Sequence, residues 1–353
     1  MSSNTKPVLL YGGILLIGIF LPLALPAFQT QISVMWMMVT FALTWDILGG
    51  RMGYNSFGNI VFFGVGMYAA ASVQHELYFD IGQFEVISDQ FNLQLTPDKY
   101  LFGLGLGMII GAVICVALAW VLGSGILRLR GHYFAICTLG LGVAVGELAG
   151  TIDYIGAGSG MAAPVFPSAM GSAGLFYSYF FFILVVASFF SLKWLYSTRF
   201  GLAINAIRDD EDKAEAMGVH TLRHKTVAWT ISAFFLGITG GLFGNMTGFI
   251  EPLEVAFPTI TFGIFMVAMA LLGGKGTLWG PVLGAILFHI IKETTWTYFL
   301  GWQWIALGVI IIVNVVFFQQ GIMGYLEDKY PHWFGVEVEE SNAIDDQAKE
   351  ATQ

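Results

Sequence analysis

Charged side chains are scarce in this sequence and make up 11% of it, against about 25% in an average soluble domain. This scarcity excludes an ordinary soluble globular fold. Cysteine is also rare: Cys115 and Cys137 are the two in the chain, and both lie in apolar stretches. They predict neither a disulfide framework nor a metal site. Acids outnumber bases, with a net charge of −9, so a nucleic-acid partner is not indicated.

Motifs for nucleotide binding and for hydrolysis are missing as well. GGKGT at 273–277 resembles the end of a Walker A loop, but Gly276 stands where a Ser or Thr is needed and Met269 where the first Gly is needed. His220 and His224 are four residues apart, yet no further zinc ligand lies nearby. No nucleophile elbow or HExxH motif is present. We therefore expect no catalytic residue, no bound metal, no cofactor and no enzyme activity.

Long apolar runs dominate the chain instead. Hydrophobic residues make up 56% of it, and about 20 apolar residues in a helix cross the hydrocarbon layer of a membrane. The runs predict an all-α polytopic membrane protein with about ten transmembrane helices. The predicted spans are 8–28, 31–50, 57–74, 101–123, 132–150, 175–196, 226–248, 259–273, 277–299 and 302–319. The first lacks a small-residue cleavage site, so we expect a retained helix rather than a signal peptide.

Lysine and arginine set the expected orientation, because they concentrate on the cytoplasmic side of membrane proteins. With a cytoplasmic N-terminus, twelve of them fall in inside segments, and Lys99 is the one in an outside loop. Both termini are then cytoplasmic. The outside loops 75–100 and 150–174 are too short for a separate domain. We take 1–325 as one transmembrane domain and 326–353 as an acidic, disordered cytoplasmic tail.

Glycine recurs at every fourth position in four places, which puts each set on one face of a helix. The missing side chains let a neighbouring helix approach closely, and we interpret the sets as packing surfaces of a tight bundle. The sets are Gly103/Gly107/Gly111, Gly142/Gly146/Gly150, Gly240/Gly244/Gly248 and Gly276/Gly280/Gly284.

Polar residues inside the predicted spans are candidates for functional roles, because an ionisable group in the bilayer is costly. They are Asp46, Glu147, Asn245, Lys292, Glu293 and Asn314. Lys292 and Glu293 can neutralise each other. Glu147 lies near the outer mouth, where it either touches the transport pathway or forms a hydrogen bond between helices. No chain of carboxylates and histidines appears, which weakens the case for a proton-driven transporter.

The stretch LGGRMGYNSFGN, residues 48–59, interrupts the helical pattern with Gly, Asn and Ser. Irregular backbone at membrane depth is tolerated where it is buried in protein or faces a cavity. Asn55 and Ser56 therefore join Glu147 and Asn245 as candidates for lining the pathway.

The four residues LGGR that begin this stretch are echoed by LGGK at 272–275. Both sit at the inner end of a predicted span. The echo suggests a parallel internal repeat that pairs the second and third spans with the eighth and ninth.

One strongly charged segment, RDDEDKAEAMGVH at 208–220, lies in the longest predicted cytoplasmic loop, 197–225. The acids 209–212 suit a helix N-terminus, where unpaired N–H groups and the helix dipole favour negative charge. Residues 213–217 are good helix formers, and Gly218 suits the position that ends a helix. We predict a helix of about eight residues, lying outside the bilayer.

Two roles are open for this helix. It is either a solvated connection between two spans or a docking element for another protein. The order of its residues favours docking, because the small residues Ala214 and Ala216 flank Glu215 and permit a close approach.

Five stretches, in order along the chain, resemble the permease subunits of branched-chain amino-acid ABC importers, the LivM type. They are FGNIVFFGVGMYAAA (57–71), RLRGHYFAICTLGLG (128–142), STRFGLAINAIRDDEDKAEAMGV (197–219), ISAFFLGITGGLFG (231–244) and LGGKGTLWGPVLGA (272–285). The resemblance covers about residues 40–320. AEAMG at 214–218 is similar to the cytoplasmic EAA-type loop of such importers, whose short helix docks on the ATPase. The spacing to glycine differs here, so contacts of single atoms do not carry over.

The resemblance implies an importer permease whose charged loop couples to an ATPase subunit. The implied coupling residues are Asp209, Asp212, Ala214, Glu215, Ala216 and Gly218. The implied partners are a paralogous permease subunit in a heterodimer, two ABC ATPase subunits and an extracytoplasmic substrate-binding protein. The implied location is the lipid bilayer of a prokaryotic plasma (inner) membrane.

Three functions remain open from the sequence. The first is an ABC-importer permease for branched-chain or related amino acids. The second is the same machine for urea or short amides, because urea permeases share much of the pattern. The third, of another class, is an autonomous channel or secondary transporter.

Overall fold

The computed structural model of the chain describes residues 5–78, 85–87, 92–259, 261–299, 302, 305, 308, 309, 312 and 321–329. Its main elements are twelve helices, numbered here in chain order. They are α1 (Thr5–Ala24), α2 (Gln29–Leu48), α3 (Asn59–Leu77), α4 (Pro97–Ile126), α5 (His132–Ala149), α6 (Ala173–Tyr196), α7 (Arg199–Asp209), α8 (Glu211–Ala216), α9 (Thr221–Thr247), α10 (Phe262–Gly273), α11 (Gly280–Tyr298) and α12 (Gly321–Lys329).

Two short antiparallel pairs of strands accompany the helices. One pair joins β1 (Glu85–Ile87) to β2 (Asn92–Gln94), and the other joins β3 (Met161–Ala162) to β4 (Phe249–Ile250). A π-helical turn at Pro252–Ala256 follows β4. In the part of the chain that the structure describes, the fold is thus a helical bundle with its β structure in the connections.

The helices confirm a polytopic membrane protein. Within the described residues, five segments are long and apolar enough to cross a membrane: Pro26–Leu48, Pro97–Ile126, His132–Ala149, Ala173–Tyr196 and Thr221–Thr247. Two shorter apolar helices, Ile14–Ala24 and Phe262–Gly273, accompany them. The total of ten spans stays a prediction, because most of the tenth, 302–319, falls outside the described residues.

The other end of the chain is described only in part. Of the predicted acidic tail, residues 326–329 continue α12, and 330–353 fall outside the described residues. The disorder expected for that tail therefore stays a prediction.

Helix α2 lies at the centre of the bundle. Every residue from Met35 to Leu48 is buried, because α6, α9, α10 and α11 pack around it. A helix that is apolar all round is expected in such a position. Hydroxyl groups on α2 have hydrogen-bond partners nearby. Thr44 donates to the Thr40 carbonyl at 2.8 Å, and the hydroxyls of Ser33 and of Ser178 on α6 form a hydrogen bond of 2.9 Å.

Glycines let α3, α4 and α9 pack backbone against backbone. A Cβ placed on Gly240 of α9 would lie 2.0 Å from the Phe63 carbonyl oxygen of α3. A Cβ on Gly107 of α4 would lie 2.9 Å from the carbonyl oxygen of Ala70. The glycine sets therefore do bring helices together at these positions, as expected for small residues at helix contacts in membranes.

Three members of the predicted glycine sets do not lie on a helix face, which corrects the sequence interpretation. Gly150 is the residue that caps the end of α5. Gly248 ends α9 with φ +74°, and Gly276 lies in the α10–α11 turn with φ +79°. The spacing of four was misleading there, because these glycines serve helix ends and turns that favour positive or unrestricted φ.

Replacement of Gly240 by alanine should destabilise the bundle by about 1–3 kcal/mol, because the added methyl forces α9 away from α3. The matched control is Gly105→Ala on α4, where a Cβ meets nothing within 4 Å. That control should be neutral or slightly stabilising, because alanine favours the helix. The measurement is thermal unfolding of the purified chain in detergent. Equal unfolding temperatures for the two variants would contradict the packing role of Gly240.

Candidate functional site

The charged segment forms two helices rather than one. Helix α7 runs from Arg199 to Asp209, and α8 runs from Glu211 to Ala216. The predicted helix is α8, which has six residues rather than about eight, and three of the four acids predicted to begin it do so: Asp210 caps it, and Glu211 and Asp212 lie in its first turn. Asp209 ends α7 and pairs with Arg208 at 3.0 Å, so it takes no part in starting α8.

Asp210 separates the two helices and caps the second. Its backbone is extended, with φ −163° and ψ 108°, which breaks the helical path. Its carboxylate accepts a hydrogen bond from the Lys213 amide at 3.0 Å, as expected of an N-cap residue. Because no residue type marks which of several consecutive acids turns the chain, the sequence alone did not identify the cap.

The end of α8 confirms the predicted role of Gly218. This residue has φ +86°, a conformation that glycine adopts without a steric penalty. The Val219 amide donates to the Ala214 carbonyl at 3.0 Å, and the Gly218 amide donates to the Glu215 carbonyl at 2.9 Å. This pair of bonds is the Schellman arrangement, which satisfies the last carbonyls of a helix.

Glu211 turns toward the bundle and is largely buried, with a side chain 12% exposed. Its carboxylate is bound by the ammonium of Lys225, in the second turn of α9. It also accepts a hydrogen bond from the phenol of Tyr54, in the α2–α3 connection. The Nε atom of Arg130, just before α5, lies 3.5 Å from the same carboxylate. One side chain of α8 thus contacts three separate parts of the bundle.

Lys225 is the more deeply buried partner, with a side chain 2% exposed. Besides Glu211, its ammonium donates to the Tyr54 hydroxyl at 2.8 Å and to the Leu127 carbonyl at 3.4 Å. The ammonium also lies 4.2 Å from the centre of the Tyr54 ring. A lysine has three N–H donors, and here all three have an acceptor. This satisfaction is required, because a buried charge without partners is strongly destabilising.

The surroundings keep the Glu211 carboxylate ionised. Burial raises the pKa of the Glu211 carboxyl, but hydrogen bonds from Lys225 and Tyr54 outweigh burial and hold the pKa below its ordinary value. Burial and the bond to Glu211 both raise the pKa of Tyr54. At neutral pH the carboxylate is therefore charged, and the phenol keeps the proton that it donates.

Glu211 is the residue that sequence reasoning missed. It was grouped with its acidic neighbours as a residue that starts a helix. The available signal was Lys225, the basic residue nearest to the apolar part of α9, because such a lysine needs a carboxylate close by in space.

Arg130 also binds the outer face of α8. Its guanidinium lies 2.7 Å from Asp212 and 3.8 Å from Glu215. Glu215 in turn accepts a hydrogen bond of 2.6 Å from Thr221, at the start of α9. Two of the predicted coupling carboxylates therefore make their contacts within this chain.

The remaining predicted coupling residues divide between two faces of the helix. Ala214 is 4% exposed and packs against the bundle, whereas Ala216 and Gly218 are exposed. Met217, between them, is 85% exposed and projects away from the bundle. These exposed residues lie on the side of α8 and of its C-terminal end that is turned away from the bundle.

The predicted pathway residues are not brought together. Ser56 is fully buried beside Asn59 at the start of α3. Asn245 is buried near the opposite end of that helix, where it accepts a hydrogen bond from Gln74 at 3.0 Å. The fifteen residues from Asn59 to Gln74 separate these sites by roughly 22 Å.

The other two pathway candidates, Asn55 and Glu147, are exposed. Glu147 lies on α5. Of the residues in the apolar part of this helix, 28% are buried, which is the lowest share among the five long apolar segments. Two roles were left open for Glu147. Its exposure on this helix favours contact with the transport pathway over a hydrogen bond between helices.

The two similar motifs LGGR and LGGK meet in the structure. The Gly276 amide, just after LGGK, donates to the carboxylate of Asp46, just before LGGR, at 2.7 Å. Asp46 is 2% exposed, and Arg51 stacks on the ring of Tyr196 at 4.4 Å. The internal repeat itself stays a prediction.

The two histidines beside α8 are in contact, the side chain of one with the backbone of the other. His224 Nδ1 lies 2.9 Å from the carbonyl oxygen of His220. Within the described part of the chain, no group of three or more His, Cys, Asp or Glu residues could hold a metal ion.

A family model described as branched-chain amino acid transport system / permease component matches residues 29–318. The chain belongs to this family. Its members are the membrane subunits of ABC transporters, in which ATP hydrolysis belongs to separate subunits. The chain is therefore a multi-pass permease subunit and not itself an enzyme, and the family implies ATPase and binding-protein partners.

Individual relatives agree with this assignment. The high-affinity branched-chain amino acid transport system permease protein LivM of Salmonella typhimurium is 25% identical over 349 residues, 91% of this chain and 76% of the relative. LivM of Escherichia coli is 27% identical, over 83% of this chain and 72% of the relative. A probable permease LivH of Methanocaldococcus jannaschii is 28% identical over 42% of this chain and 48% of the relative. No solved structure matches the chain.

Replacement of Asp210 by alanine should loosen α8, because the Lys213 amide loses its acceptor. We expect hydrogen exchange of the amides of residues 213–219 to become several-fold faster. The matched control is Asp209→Ala, which removes an exposed carboxylate that caps nothing in α8. Exchange measured by mass spectrometry on the purified chain should separate the two. Faster exchange in both variants, or in neither, would contradict the assignment of Asp210 as the cap.

Proposed function

We propose that this chain is the permease subunit of an ABC importer for branched-chain amino acids and forms part of the translocation pathway. The observation that carries the proposal is the family match over residues 29–318, joined by LivM relatives aligned over most of the chain. The permease would supply a pathway with two states, and separate ATPase subunits would supply the energy.

Helix α8 is proposed as the element that docks on an ATPase subunit. It is a short helix fixed to the ends of several spans, and it presents Met217 to solvent. In this arrangement Met217, Ala216 and Gly218 make the contact. Glu215 and Asp212 contribute by holding Arg130, and Ala214 by packing against the bundle. Asp209 lies at the end of α7 and would meet the ATPase only at the edge of the contact.

The proposed topology places α8 and both chain termini in the cytoplasm, with ten spans in a prokaryotic inner membrane. The uneven distribution of lysine and arginine supports this orientation. A paralogous permease completes a heterodimer, as the similarity to both LivM and LivH proteins suggests. Two ATPase subunits bind on the cytoplasmic side and a substrate-binding protein on the other. The transmembrane domain is taken as 1–325, with a coupling loop at 197–225 and a tail at 326–353.

Among the proposed pathway residues, the burial of each side chain sets an order. Ser56 and Asn245 are engaged in contacts between helices, which favours structural roles. Asn55 and Glu147 are exposed and accessible to solute. Glu147 on the thinly covered helix α5 is therefore the first candidate to line a pathway shared with the partner permease.

Reconstitution tests the function directly. The chain is placed in liposomes with its paralogous permease, both ATPase subunits and the binding protein, and uptake of leucine and of urea is measured. We expect leucine uptake that requires ATP. Uptake of urea alone would replace the proposed substrate, and uptake by the permeases without ATPase would overturn the importer assignment.

Substitution of Met217 tests the docking role of α8. Met217→Asp should lower leucine uptake about tenfold or more, because a charge would enter the centre of an apolar contact. Met217→Leu, which keeps the apolar character, should retain uptake. A Met217→Cys variant should cross-link to the ATPase subunit with a short bifunctional thiol reagent. No cross-link, together with normal uptake by Met217→Asp, would refute docking through α8.

A further inference from the structure

The position of α8 depends on very few contacts. The helix has six residues, and a helix so short has no stability of its own in water. Ala214 is the one residue of α8 that is buried. The contacts of Arg130 with Asp212 and Glu215 are open to solvent, where ion pairs contribute little. Glu211 therefore supplies the main specific link between α8 and the bundle.

The link reaches parts of the chain that lie far apart in sequence. Lys225 belongs to α9, Tyr54 to the α2–α3 connection, and Leu127 and Arg130 to the α4–α5 connection. Lys225, Tyr54 and Arg130 contact the Glu211 carboxylate, and the Leu127 carbonyl contacts the ammonium of Lys225. Displacement of α8 without these elements would separate Glu211 from the buried ammonium of Lys225 and leave that charge unpaired. The cost of an unpaired buried charge makes such separate movement unfavourable.

We propose that the buried pair Glu211–Lys225, with Tyr54, is the joint that transmits movement of α8 to the transmembrane helices. Glu211 is a positioning residue: it makes α8, the start of α9 and the α2–α3 and α4–α5 connections move as one body. This inference rests on the proposed function, in which α8 is the element that the ATPase pushes. A force that acts on the exposed side chain of Met217 would in this way move several transmembrane helices together.

A purely structural role makes a different prediction from a transmitting role. If the pair only stabilises the fold, removal of both charges should restore function, because a neutral pair of similar size leaves no unpaired buried charge. If the pair transmits movement, the same double variant should be stable but poorly coupled, because the directed link to Tyr54 and Lys225 is gone. Stability and coupling are therefore measured side by side.

The experiment uses the complete complex in liposomes. The variants are Glu211→Gln, Lys225→Met and the double variant Glu211→Gln/Lys225→Met, with Lys213→Met as the matched control. Lys213 also pairs with a carboxylate, Asp210 at 3.0 Å, but its side chain is 84% exposed. The readouts are leucine transported per ATP hydrolysed, the unfolding temperature, and cross-linking of a cysteine at position 217 to the ATPase.

We expect each single variant to lower the unfolding temperature and to reduce leucine transported per ATP about tenfold. The double variant should regain the unfolding temperature and stay uncoupled, while the Lys213→Met control behaves as wild type. Glu211→Asp, which keeps the charge but shortens the side chain, should assemble and lose part of the coupling. This variant keeps the test valid if the others fail to assemble.

The outcomes separate the two proposals. A cross-link that persists while Glu211→Gln or Glu211→Asp keeps the wild-type transport per ATP would overturn the joint alone. A double variant that regains both stability and coupling would do the same. Absence of the cross-link in the otherwise wild-type chain would instead overturn the docking of α8, on which the joint depends.

Discussion

A lysine ammonium enclosed by protein is the constraint around which one end of this molecule is arranged. Lys225 cannot reach water, so the chain must supply three acceptors at defined places, and it does so with a carboxylate, a phenol and a backbone carbonyl. The three acceptors come from helix α8, the α2–α3 connection and the α4–α5 connection. The requirement of one charge therefore fixes the relative positions of loops whose own sequences are irregular and whose backbone has little regular hydrogen bonding.

Close contacts between helices support the bundle that carries this cluster. Helices α3 and α9 approach until a Cβ on Gly240 would lie 2.0 Å from the Phe63 carbonyl oxygen. Tyr54 precedes α3 and Lys225 lies in the second turn of α9, so the two helices that pack at this glycine are also the two that lie next to the cluster in sequence. Larger residues at such positions would push the two helices apart.

The sequence predicted the class of fold and most of its helices, because apolar runs of sufficient length have few alternatives in structure. It also placed the end of α8 correctly, since Gly218 follows a run of helix formers. It failed at Asp209, which ends α7, because consecutive acids look alike and only the three-dimensional path selects the cap. Glu211 was missed for a related reason: its role is set by Lys225, and pairs distant in sequence leave no local pattern.

The candidate pathway shows the same limit. Polar residues in apolar spans were correctly identified as unusual, but polarity alone does not separate a residue that joins two helices from one that faces a solute. Asn245 binds Gln74 inside the bundle, whereas Glu147 is exposed on α5. The difference depends on which face of each helix is covered by other helices, and that is decided by residues far away in the sequence.

The burial of α2 from Met35 to Leu48 has a consequence for how the protein is made. This helix emerges early from the ribosome, yet the Gly276 amide that binds its Asp46 lies 230 residues further along. At about 5–20 residues per second, synthesis of the intervening chain takes on the order of tens of seconds. Throughout that time a helix destined for a protein interior, with an acidic group near its end, has no partners from α10 and α11. Until then the sides of α2 that α10 and α11 cover in the finished fold are not covered by those helices.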